Sequence, residues 1–468
     1  MRIPIAAAAA LATVAALAAG SAEQTDPKFE QLSALITQKM TEYGVPGVAF
    51  GIVKNGQVTV KGFGVTNIDD PQPITPDTVF ALASISKTVT ATAMMRLVEQ
   101  GKVSLDDPVK KYLPDFKVAD DAATRDVKIW HLLTHTPGWE GQLSSEDRGV
   151  QTLAYFVETM KDLPKLAAPG EVWSYNNAGF VVAGRVIEVV TGQTIHQAFK
   201  SLVFDPVGLT RAFTRVEELA TYRFSVAHSG APGSVRVSRP LARSTSIAAG
   251  GVSMSINDLL AYGKFHLGDG TGKDGKPVLT RASLELMRTP KVKKNATDDE
   301  MGIGWHLRKV NGVMTAAHGG TLGHCLLVEL VPERNLVMAI LTNHNEGWRL
   351  IQDVERSALR ILENMPLGAS QSIGHRGVNE TMPEAVMLAK QPDPAEYVGV
   401  YRKPPSGMNT VAVRDGQLIV DNNTVGFFAP DRAVMTSGNG RGNPLEFIRD
   451  SSGAVRWIRV VGRIAKKE

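Results

Sequence analysis

The chain has 468 residues, 51 of them basic and 47 acidic, for a formal net charge of +4; 43% are hydrophobic and 21% charged. That length accommodates two or three domains, or one large domain with an appendage, and the composition is that of a soluble globular protein. So balanced a charge argues against nucleic acid or an anionic membrane as partner.

The first stretch, Met1 to Ala19, is apolar and Ala-rich behind a single Arg2, and Gly20-Ser21-Ala22 offers small residues for cleavage. It reads as a secretory signal peptide, residues 1–22, too short for a stable membrane span. Cys325 is the only cysteine, so no lipid-bearing cysteine sits at the cut. An exported chain of this length without a disulfide points to a bacterial periplasmic or secreted protein. His324-Cys-Leu-Leu-Val-Glu-Leu330 reads as a buried strand, with Cys325 a small core residue.

Asp26 to Tyr43 has the spacing of an amphipathic helix. Val45–Lys54 and Gln57–Val65 read as strands joined at Asn55-Gly56, a hairpin signal. A Pro- and Asp-rich loop leads to Phe80-Ala-Leu-Ala-Ser84-Ile-Ser-Lys87, which reads as the first turns of a buried helix ended by Gly101. Leu105–Pro114, Ile129–Gly138, Leu153–Leu163 and Asn177–Thr191 follow as helices with little strand alternation between them. Asn257–His266 is a further helix with Asn257 as its N-cap. Gly302–Arg308, Gly312–Ala317, Cys325–Val331 and Leu336–Thr342 are strands, and Trp348–Glu363 is a closing helix. Strands at both ends and helices between them predict an α/β fold: one antiparallel sheet flanked by helices, with an inserted all-helical domain. A cleft between the two is the expected place for a site. Residues 23–365 form this unit and 366–392 a linker. Residues 393–468 form a small β domain of short strands, a barrel or half-barrel, with Asp415-Gly416 as a hairpin turn.

Ser84 and Lys87 are three residues apart and share one face of a helix. A serine hydroxyl needs an adjacent base, and a lysine becomes one once burial or a nearby cation lowers its pKa. Ser-x-x-Lys is an acylation motif. In Trp173-Ser-Tyr175-Asn176-Asn177, a Tyr and an amide on a tight turn can aim into one cleft; a tyrosine near a cation can act as base, then as acid. In His318-Gly319-Gly320-Thr321 the glycines let a backbone approach a ligand, and an N–H there with that of Ser84 can form an oxyanion hole.

These motifs, in this order, resemble the serine β-lactamase and penicillin-binding-protein superfamily, in its class C-like branch of β-lactamases, D-alanyl-D-alanine carboxypeptidases, D-aminopeptidases and family VIII esterases. The resemblance covers roughly residues 28 to 365. It extends to Leu132-Leu-Thr-His-Thr-Pro-Gly138, Phe204-Asp-Pro-Val-Gly-Leu209, Ala249-Gly-Gly-Val252 and Leu341-Thr-Asn343. It implies a β-lactamase/transpeptidase-like fold, Ser84 as acylated nucleophile, Lys87 as its base or proton partner and Tyr175 as second proton carrier. Asn177 is then the substrate-orienting amide, and His318, Gly319, Gly320 and Thr321 line the substrate. His318 stands where class C β-lactamases have Lys, and Gly319 where a Thr or Ser is usual. An imidazole anchors a carboxylate more weakly than an ammonium, so the resemblance implies a peptidase or esterase ahead of a β-lactamase. The C-terminal domain is similar to the lipocalin-like appendages of some of these enzymes, with Glu396-Tyr-Val-Gly-Val-Tyr401 as its signature.

The expected function is an exported serine hydrolase acting on a small-molecule or peptide substrate, with no cofactor and no metal. β-Lactamase and acyltransferase share its acyl-enzyme; a non-catalytic peptide or peptidoglycan binder is the alternative of another class. His131 and His135 are one helical turn apart, yet no Glu follows His131 and no third ligand stands out, so both read as scaffold. His324 and His344 receive no role. The chain contains no Gly-x-Ser-x-Gly, which disfavours the usual α/β-hydrolase triad.

Overall fold

The computed structural model describes residues 26–142, 146–238, 247–294, 299–367 and 386–468. The expected signal segment, 1–22, and most of the expected linker lie outside the described residues.

The first helix, Pro27–Tyr43, starts where the Asp26 carboxylate accepts the Lys28 N–H at 2.9 Å and ends at Gly44, in the left-handed region at φ 67°. Gly47–Lys54 turns back through Asn55-Gly56, both at positive φ, into Gln57–Gly64. The main sheet has eight antiparallel strands in the order Gln57–Gly64, Gly47–Lys54, Leu336–Thr342, Cys325–Val331, Val313–Thr321, His306–Val310, Glu300–Met301 and Val292–Lys293. Both chain ends of the unit therefore build one sheet, and Val48 lies opposite Thr342.

Its inner strands are buried on both faces. One face packs Phe50, Leu327 and Ile340 against the helices Pro27–Tyr43 and Trp348–Glu363; the other packs Ala49, Val328 and Leu341 against Ile256–Leu267. Cys325 belongs to the first of these cores, and burial pushes its thiol up to about 12, which leaves it inert. Among the described residues, no single helix is long and apolar enough to cross a membrane.

Three local expectations change. Leu105–Pro114 contains only a 3₁₀ turn at Val109–Lys111, squeezed between Pro108 and Pro114. The helix Ile256–Leu267 is capped by Ser255, whose hydroxyl accepts the Asp258 N–H, while Asn257 donates to Asp77. The insertion is helical but not purely so: Val79–Ala81, Ser253–Ser255 and Ala212–Phe213 form a small sheet, and Ala227–Ser229 pairs with Arg236–Ser238.

The C-terminal strands close into an eight-stranded antiparallel barrel. Gly399–Arg402 meets Arg463–Lys467 at Tyr401 opposite Lys467, and this pairing leaves no open edge. Tyr397, Tyr401, Phe427 and Phe447 fill it.

Candidate active site

Ser84 sits on a 3₁₀ turn, Ala83–Ile85, and the α-helix proper begins at Ser86. The sequence placed Ser84 and Lys87 on one helix; the tighter turn still sets Lys87 Nζ 3.2 Å from Ser84 Oγ. Ala83, just before the nucleophile, is held in the left-handed region at φ 46°, where a side chain is strained. Ser86 pins the turn. Its hydroxyl donates to the Ala83 carbonyl at 2.6 Å and accepts the Val252 N–H at 2.9 Å. Lys87 is fully buried, and Nζ donates to the Ala249 carbonyl at 2.6 Å. Burial first, and the Arg463 guanidinium second, hold its pKa well below the usual lysine range. A neutral amine beside a serine hydroxyl is able to take its proton. Ala249-Gly-Gly-Val252 thus orients Lys87 and clamps the Ser84 turn through Ser86, a task its place in the sequence did not disclose.

Tyr175 is buried beside Ser84, and Lys87 Nζ lies 4.9 Å from its ring centre. Burial pushes the phenol up to about 12, against the smaller opposing effects of Ser84 and Arg463. In the sequence reading a tyrosine beside a cation can act first as base; here desolvation outweighs the cation and favours the protonated phenol, a proton donor. Asn176 caps the helix Asn177–Thr191, accepting the Gly179 N–H at 2.7 Å and donating to the Trp139 carbonyl at 2.7 Å. That leaves Asn177 as the amide at the rim, its Nδ2 donating to Gln142 Oε1 at 3.1 Å.

His318, Gly319, Gly320 and Thr321 end the strand Val313–Thr321, beside the Ser84 turn. A Cβ on Gly320 would stand 2.3 Å from the Leu82 carbonyl oxygen, so only glycine fits there. Thr321 accepts the Trp348 indole N–H at 2.8 Å and fastens the strand end to the closing helix. His318 is buried, its Nδ1 2.8 Å from the Gly319 carbonyl. It joins a stack of rings: Tyr175 lies 4.4 Å from His135, and His306 lies 4.9 Å from His318. Ser84 and Lys87 are thus within hydrogen-bond reach, Tyr175 lies under the Lys87 amine, Gly320 stands against the Ser84 turn and His318 joins the rings.

His135 was read as scaffold, and the structure gives it a definite task. Its Nδ1 accepts the Asn176 N–H at 2.8 Å, and its carbonyl accepts the Ser174 N–H at 2.9 Å. His131 is a separate cap, accepting the Lys128 N–H on Nδ1 at 2.9 Å. The sheet instead brings two other histidines to His135: ring nitrogens of His135, His306 and His318 lie within 4.8 Å of one another, near enough to converge on an ion. The Nδ1 atoms of His135 and His318 already engage backbone groups, and we assign no metal there.

Residues 32–360 match the family model Beta-lactamase. Penicillin-binding protein 4 of Amycolatopsis lactamdurans is 34% identical over 329 residues, 68% of this chain and 86% of that protein. Esterase EstB of Burkholderia gladioli is 33% identical over 226 residues, 44% of this chain and 56% of that protein. The crystal structure of SurE superposes with a TM-score of 0.79 at 23% identity, over 94% of this chain and 99% of that one, a likeness of fold.

Proposed function

The chain belongs to the Beta-lactamase family, in the superfamily of serine β-lactamases and penicillin-binding proteins, and from that premise we propose that it is a serine hydrolase cleaving an amide or ester through an acyl-enzyme on Ser84. The observation that carries this reading is the buried Lys87 amine 3.2 Å from Ser84 Oγ. Ser84 passes its proton to Lys87 as Oγ bonds to the substrate carbonyl carbon, and the carbonyl π pair moves to oxygen. Backbone N–H groups of Ser84 and of the strand end at 319–321 receive that oxyanion. When it collapses, the bond to the leaving group breaks. The proton taken from Ser84 returns to the leaving group through Lys87 and Tyr175, which line the same face. Water then adds to the acyl carbon, gives a proton to the same pair and releases Ser84 with its own proton restored.

A peptidase or esterase stands ahead of a β-lactamase in this reading, because His318 occupies the place of the cationic anchor. The names of the two curated relatives, a penicillin-binding protein and an esterase, fit that order. Transfer of the acyl group to an amine or alcohol uses the same intermediate. The N-terminal stretch supports export, which the mass of the mature chain from a periplasmic fraction checks.

The test is intact-protein mass spectrometry with a fluorophosphonate, on the wild type and Ser84→Ala, beside turnover of p-nitrophenyl butyrate, D-alanyl p-nitroanilide and nitrocefin. We expect one adduct, lost in Ser84→Ala, and turnover of the ester or the anilide ahead of nitrocefin. An adduct that survives Ser84→Ala overturns the assignment. Neither adduct nor turnover favours a non-catalytic binder.

A further inference from the structure

The strand Val455–Val460 returns as Arg463–Lys467 through the two residues Val461-Gly462, at φ 48° and 71°. Two-residue hairpin tips of this kind call for Asn-Gly or Asp-Gly, and a β-branched residue in the left-handed region is a marked outlier. Such strain persists where surroundings over-determine it, and it clusters at functional sites.

This tip lies against the segment that carries Tyr175. The Tyr175 N–H donates to the Gly462 carbonyl at 2.8 Å, and the Ile464 N–H donates to Ser174 Oγ at 3.1 Å. Arg459 donates twice to the Trp173 carbonyl, at 3.2 and 3.0 Å. Arg463 donates through Nη1 to the Tyr175 carbonyl at 3.0 Å and through Nη2 to Gln142 Oε1 at 2.8 Å. That same Gln142 oxygen accepts the Asn177 amide. Both residues proposed to handle the substrate beside Ser84 are therefore tied to one guanidinium from the barrel. Its carbon lies 5.5 Å from the centre of the Tyr175 ring, while Lys87 Nζ lies 4.9 Å from that centre.

We propose that Arg463 is a positioning residue of the acyl site: its planar fork fixes Tyr175 and Asn177 relative to Ser84, and its cation shares the Tyr175 ring with the Lys87 amine. The inference rests on Ser84 being the acylated nucleophile. A lysine at 463 could not make both bonds in one plane. The groups facing Lys87 are Ser84 on its own turn, Tyr175 and His135 from the helical insertion, and Arg463 from the barrel. Glu140, 3.6 Å from Arg463 Nη1 and held by Ser406, offsets part of the charge. Two cations near one ring oppose each other's protonation, so the guanidinium adds to burial in lowering the Lys87 pKa.

The experiment measures the rate of fluorophosphonate labelling against pH in full-length wild type, Arg463→Met, Arg463→Lys and Gln142→Ala. In Arg463→Met the acid limb moves to higher pH by about 0.5–1 unit and the plateau rate falls about tenfold or more. Arg463→Lys restores the limb but not the plateau. Gln142→Ala keeps the charge, so it lowers p-nitrophenyl butyrate turnover without moving the limb. An Arg463→Met protein with the wild-type limb and plateau overturns the inference. So does a lowered plateau with an unmoved limb, which makes Arg463 only a clamp between domains. Absence of a Ser84 adduct in the wild type overturns instead the reading on which the inference stands.

Discussion

In the proposed reaction Tyr175 takes part as a neutral phenol, because its burial outweighs the Arg463 cation. A donor of that kind matters most where the leaving group cannot depart as an anion. We therefore expect Tyr175→Phe to lower kcat/KM for D-alanyl p-nitroanilide by about 10²–10⁴-fold. For p-nitrophenyl butyrate the loss should stay below about tenfold, since nitrophenolate leaves without a proton. Equal losses on the two substrates would show that the hydroxyl serves orientation alone. Local motifs mark Ser84, Lys87 and Tyr175 as candidates in the sequence, and the structure brings the three side by side. Their protonation is not legible there: a pKa depends on what the fold packs around a group, and Arg463 approaches Tyr175 from far along the chain.

At the scale of elements, the strands and helices that frame the cleft follow from periodicity and turn residues. Asn177–Thr191, Cys325–Val331, Leu336–Thr342 and Trp348–Glu363 run between the residues the spacing indicates. The hairpin that completes the wall does not announce itself, since Val461-Gly462 lacks the Asn or Asp that marks Asn55-Gly56 and Asp415-Gly416. Nor does anything near Tyr175 disclose that its N–H will pair with Gly462. Contacts between domains leave no periodic trace. The strain at Val461 is nonetheless measurable. Val461→Asn, which suits the left-handed conformation, should raise unfolding stability by about 1 kcal/mol, read as a higher denaturant midpoint at unchanged slope. An unchanged or lower midpoint would mean that the valine side chain contributes packing that outweighs its backbone strain.

For the whole molecule, buried histidines set the response to acid. Burial, the largest cause in each case, lowers the pKa of His131 and His324 to about 4 and that of His266 to about 3. The unfolded chain takes up these protons near pH 6.5, the ordinary histidine value, while the folded chain refuses them until lower pH. Stability therefore falls as pH drops from about 6.5 towards 4, by at most ~1.4 kcal/mol per unit for each histidine. Denaturant midpoints measured across that range should fall with a slope reporting proton uptake on unfolding, and a flat profile would show these rings already protonated in the fold. The sheet adds a constraint of a different kind, one of timing. Val48 pairs with Thr342, so nearly the whole hydrolase unit forms the loop that this pairing closes. Long loops close late, after local helices have formed. The Ser84 turn packs against Gly320 and Val252, so its surroundings are complete only with the strand Val313–Thr321 in place. We therefore expect refolding from denaturant to restore the far-UV helical signal before fluorophosphonate labelling of Ser84, and simultaneous recovery of the two would show that the long loop closes together with the helices.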